Sequence, residues 1–379
     1  MKIIRLLIVL LMMLTTGVIM SAQEDDDIPV VAILKFGDVP ALNLAEQGTL
    51  DALSAYGYVD GENIELIIEQ AQLNADTVEN LVEFALGSNP DVIVAISTPV
   101  AVAVVNVTNE MENPPAVFLN TVTNPYAVGI ADASCLKPEH VTGSRALPPY
   151  DLIFPALLDV DPTIELVGVL YNDAEPNSVL SVEIIESIAA ELGVNLLVQS
   201  VANQNVVLPA AEGMLMSGID AFFIPTDSTV VSAIPELSQL ADRAGIPLVS
   251  ASPRPVFDGA TVGIGLDYYQ EGIDSARLIN SYLNGELDIA RTAINPQTGL
   301  ITGINLDAAT RQNVELSTDF IATADFVIEN GESTEENAPM LPEMTLEDRI
   351  EADMAFLAEL ECTPERIAEE QATLDAQSE

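Results

Sequence analysis

The stretch that most constrains this chain is residues 90–99: Pro-Asp, then Val-Ile-Val-Ala-Ile, then Ser-Thr-Pro. An apolar, mostly β-branched run bounded by turn residues reads as a strand covered on both faces, as in a parallel sheet. An apolar helix over 100–108 follows at once. Thr98 is expected to cap it, and Pro99 suits its first position. A helix start presents unpaired backbone N–H groups and a partial positive charge, so this corner can hold an anion. The pattern returns at 219–228, Ile-Asp-Ala-Phe-Phe-Ile-Pro-Thr-Asp-Ser, with one helix predicted over 229–244. Two such corners, in two stretches of alternating strand and helix, predict two α/β lobes that face each other with both corners at the gap.

The rest of the chain keeps this rhythm. Strands are predicted over 30–36, 64–70, 115–120, 164–171, 194–201 and 246–250, with helices between them. Residues 131–149 break the alternation and read as a crossing between lobes; 251–255 and 291–304 read as a second and third crossing. The strand 260–266 and the helix 268–284 are expected to return to the first lobe. The resulting division is 1–22 as a signal segment, 28–143 plus 257–290 as lobe 1, 144–256 plus 291–325 as lobe 2, and 331–379 as an acidic helical tail. In the tail, Thr345 with Asp348 resembles a capping box, and Leu346, Ile350, Met354, Leu357 and Leu360 lie at helical spacing. That stripe needs a surface, either its own lobe or a partner.

Lys2 and Arg5 ahead of an apolar run over 6–20, followed by Ser21-Ala22, have the parts of an export signal, with an uncleaved anchor as the competing reading. An extracytoplasmic location follows. There the two cysteines, Cys135 and Cys362, can pair as one disulfide; the alternative is two unrelated buried thiols. Lys and Arg number 12 against 59 Asp and Glu, a net charge of −47. Nucleic acid is therefore excluded as a partner, because phosphate contacts need a basic face.

Ligands in open α/β sheets sit beyond the carboxyl ends of the strands. The candidate binding residues there are Asp38, Ser97, Thr98, Thr123, Asn124, Asn177, Ser178, Thr226, Asp227 and Ser252. Hydroxyls and helix starts suit a carboxylate, and Asp227 suits an ammonium group, so the set suits a zwitterion. Enzyme readings fare worse. One histidine, His140, leaves little for nucleophilic catalysis or a multi-histidine metal site, and neither a dinucleotide glycine fingerprint nor a phosphate loop is present. No cofactor is expected. A racemase or lyase of small acids on the same frame would need an acid/base pair flanking the cleft.

Several short motifs carry a resemblance. They are Ile33-Leu34-Lys35-Phe36 with Pro40-Ala41, Ala95 to Pro99, Thr123-Asn124-Pro125, Val141-Thr142-Gly143, Gly168 to Asn172 with Asn177-Ser178, Pro225-Thr226-Asp227, and Gly265 to Tyr269. In this order and spacing the chain resembles, over residues 28–320, the substrate-binding proteins of ABC importers, type I periplasmic-binding fold, tryptophan/tyrosine-type branch. The resemblance implies two lobes joined by three strands, closure on a small carboxylate-bearing ligand such as an amino acid, and delivery to a membrane permease. It implies that Ser97, Thr98 and Thr123 hold the carboxylate and that Asn177 and Asp227 hold the amino end. Asn124 replaces an aspartate common in the family, and the tail after Gly331 lies outside its pattern. A ligand-sensing receptor that reports to a membrane partner is the alternative on the same frame.

Overall fold

The computed structural model describes residues 28–297, 299–334 and 341–377. The signal-segment expectation, residues 1–22, lies outside them. Among the described residues no helix is long and apolar enough to cross a membrane.

Lobe 1 is built on a parallel sheet in the order β11-β5-β4-β3-β1-β2, with β1 Val30–Lys35, β2 Glu65–Gln70, β3 Val92–Ile96, β4 Ala116–Asn120, β5 Val141–Arg145 and β11 Asn295–Pro296. All five residues of β3 are buried, because the sheet is covered on both faces. The covering helices include α1 Pro40–Ala55, α2 Ala75–Leu86 and α3 Thr98–Thr108.

Lobe 2 has eight strands in the order β14-β13-β12-β10-β9-β8-β6-β7: β6 Leu166–Tyr171, β7 Asn195–Ser200, β8 Ala221–Ile224, β9 Leu248–Ser250, β10 Val262–Leu266, β12 Leu300–Asn305, β13 Phe326–Glu329 and β14 Glu332–Ser333. Its helices begin with α4 Tyr150–Ile153, α5 Ala156–Val160, α6 Pro176–Leu192, α7 Val207–Met216, α8 Ser228–Val231 and α9 Ile234–Ala244. The single helix expected over 229–244 is thus two. Pro235 lies in the first turn of α9, where it has no N–H with which to continue a preceding helix.

The domain assignment needs correction in the second half of the chain. The strand expected in lobe 1 is β10, and it pairs with β9 in lobe 2. Only the helix after it, α10 Tyr268–Leu283, returns to lobe 1. It crosses α1 so closely that a Cβ on Gly48 would lie 2.2 Å from the Tyr269 carbonyl oxygen, and one on Gly272 2.2 Å from that of Ala45. Residues 292–296, assigned to lobe 2, stay in lobe 1, where β11 pairs with β5; residues 144 and 145 belong there too. The chain then re-enters lobe 2 from the hinge side, so β12 runs antiparallel to β10. The helices α11 Leu306–Arg311 and α12 Thr318–Ile321 follow, and β13 and β14 extend lobe 2 to Ser333.

The tail carries α13 Leu346–Glu359 and α14 Pro364–Gln377 and lies on lobe 1. The Thr345 hydroxyl caps α13 by accepting from the Asp348 N–H at 3.1 Å. Asp353 pairs with Arg277 of α10 at 3.1 Å and accepts the Tyr56 hydroxyl. Cys135 and Cys362 form a disulfide with Cα atoms 5.6 Å apart. Beside it, the Ala293 N–H donates to Leu360 O and the Cys362 N–H to Arg291 O, each at 2.8 Å.

Candidate functional site

The corner after β3 departs from its expected form. Ser97 takes the N-cap position with φ 97°, outside the usual range for a side-chain-bearing residue, and makes no side-chain cap bond. Its Oγ is buried without a partner. The Thr98 hydroxyl turns away from the helix and accepts the Thr123 N–H at 3.2 Å, tying the corner after β3 to the corner after β4. Thr121, also at the end of β4, has φ 55°. The start of α3 thus faces the gap with an unengaged hydroxyl beside its first-turn N–H groups.

Across the gap, Asp227 caps α8. Its Oδ1 accepts the Val230 N–H at 2.6 Å, and its Oδ2 accepts the Asn172 N–H at 2.6 Å and the Ser178 hydroxyl at 2.7 Å. Glu175, buried next to it, accepts the Ser228 and Thr229 N–H groups, each at 2.9 Å. Burial, and then the charge of Glu175, push the Asp227 carboxyl up to about 8. Asn177, in the first turn of α6, donates its Nδ2 to Thr226 O at 2.7 Å, which leaves its buried Oδ1 without a partner. Tyr150, absent from the sequence candidates, braces this wall from below: its hydroxyl donates to Ser181 at 2.8 Å and accepts the Thr226 N–H at 3.1 Å.

These two walls enclose one cavity of about 500 Å³, its open mouth included. Seven sequence candidates line it: Ser97, Thr98 and Thr123 from lobe 1, and Asn177, Thr226, Asp227 and Ser252 from lobe 2. Three do not. Asp38 is exposed, accepts the Asn43 amide at 2.7 Å, and lines a separate groove at the rim. The Asn124 side-chain Oδ1 accepts the N–H groups of Tyr126 and Ala127 in a local turn. Ser178 lies behind Asp227 and acts on it only through its hydrogen bond.

The cavity also has an apolar wall that the strand-end argument missed: Val39, Ala41, Leu42 and Ala146 from lobe 1, Val231 from lobe 2, and Tyr268 at the second crossing. The Pro40-Ala41 start of α1 and the tyrosine pair after β10 were the only traces of it in the sequence. His140 lies away from this cavity, with Nε2 2.9 Å from the Thr108 hydroxyl oxygen. Among the described residues no group of His, Cys, Asp and Glu is arranged to hold a metal.

Residues 30–328 match the family described as ABC transporter substrate binding protein. The chain is 27% identical over 286 residues to a tyrosine-binding protein of Clostridioides difficile, an alignment covering 75% of this chain and 81% of that one. Among solved structures it resembles an ABC domain in complex with L-Trp from Streptococcus pneumonia: TM-score 0.73, 22% identity, 79% of this chain and 100% of that one. It also resembles the ligand-free, open form of a substrate-binding protein from Clostridium difficile, with TM-score 0.57, 26% identity, and coverage of 77% and 97%. With two α/β lobes, a shared interlobe cavity and a family match over most of its length, the chain belongs to the ABC transporter substrate-binding proteins, a family of binding proteins rather than enzymes.

Proposed function

We propose that this protein works outside the cytoplasmic membrane, closes its lobes on one small α-amino acid with an apolar, aromatic side chain, and delivers it to a membrane permease. One observation carries the reading. Ser97 Oγ on lobe 1 and Asn177 Oδ1 on lobe 2 are buried polar atoms without partners, and both residues line one cavity. A buried polar atom left unbonded costs about 1–3 kcal/mol, so a donor on one wall and an acceptor on the other ask for a ligand that supplies both counterparts. The Ser97 hydroxyl and the start of α3 receive the carboxylate. Asn177 Oδ1 receives the ammonium, with Asp227 in the same wall of the cavity. Asp227 already accepts three bonds, so Asn177 is the more available acceptor.

The side chain of the ligand lies against Val39, Leu42, Val231 and Tyr268. The cavity joins this apolar wall to a few polar groups, as small-molecule sites do, and two of the similar proteins are named for aromatic amino acids. A ligand that touches both walls stabilises the closed form by its differential contacts. The tail, beyond the family match and packed on lobe 1, favours a second reading in which the closed form is reported to a membrane partner.

Calorimetry with L-tyrosine, tyramine and 3-(4-hydroxyphenyl)propionate tests the reading. Each analogue lacks one charged end and is expected to bind at least about tenfold more weakly than L-tyrosine. Equal affinity for tyramine and L-tyrosine, or thermal stabilisation by sugars and by no amino acid, would reject it.

A further inference from the structure

The first turns of α10 gather the three chain crossings. Glu271 is fully buried, and its Oε1 accepts the Thr121 N–H at 2.6 Å and also the Ser144 hydroxyl. Thr121 is a wall of the cavity; Ser144 lies on β5, directly before the chain leaves for lobe 2. The other oxygen of Glu271, Oε2, is buried without a partner. One helical turn on, Asp274 accepts the side-chain amide of Gln297 at 3.0 Å, at the third crossing. The Gln297 N–H in turn donates to Arg145 O at 2.9 Å. The second crossing enters α10 itself through Asp267, which caps the helix by accepting the Gln270 N–H at 3.0 Å.

We infer that Glu271 is a positioning residue for lobe closure, clamping the first crossing and the Thr121 wall to the start of α10 so that hinge bending falls beyond the clamp. The bending then falls at residues 147–149, at the entry to α10 and on entering β12; Ala146 stays with lobe 1, its N–H donating to Val122 O at 2.8 Å and its side chain packed against Tyr268. A carboxylate is an expensive group to bury for packing alone. Here it joins two segments that must move together when the lobes part. Burial holds the Glu271 carboxyl up at about 7. The titratable groups acting on it are Asp274 and Asp267, and it in turn acts on Tyr268; β4 and β5 present the uncharged Thr121 and Ser144. Its charged form makes the stronger bonds to Thr121 and Ser144, so acidification loosens the clamp.

This inference rests on the two lobes closing, and its test does not need the ligand to be known. Spin labels at Glu79→Cys on lobe 1 and Glu212→Cys on lobe 2 report the interlobe distance distribution of the ligand-free protein. Glu271→Gln keeps the shape of the side chain and removes its charge. Its distribution is expected to broaden and shift toward the open form. Its Kd for L-tyrosine is expected to rise about tenfold, with a shallower dependence on pH between 6 and 8 than the parent shows. Ser144→Ala, which leaves the carboxylate in place, is expected to shift the distances the same way by less, and serves if the glutamine variant does not fold. Unchanged distances in the folded variant overturn the inference, even where the melting temperature drops. If L-tyrosine does not bind the parent protein, the amino-acid reading falls, and the ligand-free distances still decide the role of Glu271.

Discussion

Two adjacent hydroxyls at the corner after β3 should respond to removal with opposite signs. Ser97 is 4% exposed, and with the lobes together its Oγ is buried without a protein hydrogen-bond partner. Ser97→Ala therefore removes a desolvated group and breaks nothing, relieving part of the roughly 1–3 kcal/mol that an unsatisfied buried hydroxyl costs. The void of one oxygen atom takes some of this back. The expected net effect is a gain of about 1 kcal/mol, which moves the melting temperature of a chain of this size up by about 2 °C. In the complex the same change deletes a hydrogen bond to a carboxylate, worth roughly 1.5–3 kcal/mol, so Kd rises about 10- to 150-fold. Thr98→Ala is the contrast: its Oγ1 accepts the Thr123 N–H at 3.2 Å, and its loss orphans a buried donor and lowers stability by about 1–3 kcal/mol. Thermal and urea melts without ligand, beside calorimetry with L-tyrosine, read both quantities. A Ser97→Ala protein that is less stable and binds unchanged would show that Ser97 serves the fold and that the ligand's carboxylate lies elsewhere.

Two further outcomes follow from the tail and the buried carboxylates. The disulfide closes a separation of 227 residues, for which loop entropy sets a ceiling of about 5 kcal/mol. With Cys135→Ser and Cys362→Ser together the loss should be smaller, because α14 has no buried residue and the tail can detach ahead of the lobes. Proteolysis by Glu-C should then cut within 341–377 while L-tyrosine binding persists; an equally resistant tail would refute this. Asp227 and Glu271 have folded values near 8 and 7 against ordinary values of 3.8 and 4.5. Folding therefore takes up protons between these limits, and the stability these two groups contribute is present below the ordinary values and lost as pH rises through about 7 to 8. Melting temperature should fall from pH 5 to pH 8.5, and Asp227→Asn with Glu271→Gln should flatten that slope; an unchanged slope would refute the assignment.

The fold was legible wherever burial imposed a local pattern. The runs at β3 and β8 are apolar on both faces because both faces are covered, and no tertiary knowledge is needed to read them. Which sheet a strand joins is not a local property. The run Val262–Leu266 does not itself name its sheet, and its place in lobe 2 is fixed by pairing with β9 and β12. The site divided along the same line. Strand-end position found Ser97, Asn177 and Asp227, but Asp38 and Asn124 share that position and spend their side chains on local bonds. Nothing in the one-dimensional pattern marks a serine held at φ 97°, or an amide with one end satisfied and the other open. Glu271 reads as one more acidic residue among 59 Asp and Glu, and only the convergence of Thr121 and Ser144 on its side chain sets it apart.

The net charge of −47 bears on how the analogue binding should be interpreted. L-tyrosine is a zwitterion without net charge, so the field of the protein neither draws it in nor repels it over distances beyond the cavity. 3-(4-Hydroxyphenyl)propionate carries a full negative charge, and tyramine a full positive one. At low ionic strength the propionate is therefore penalised twice, by the lost ammonium contact and by the field, while tyramine recovers through the field part of what it loses at Ser97. Salt separates the two contributions, because screening acts over about 10 Å at 0.1 M and leaves the buried contacts almost untouched. The hydrogen-bond cost at each wall is the part of the affinity difference that survives at high salt. If the whole of the propionate's deficit vanished there, the repulsion would have come from the acidic surface, and Asn177 would hold no ammonium group.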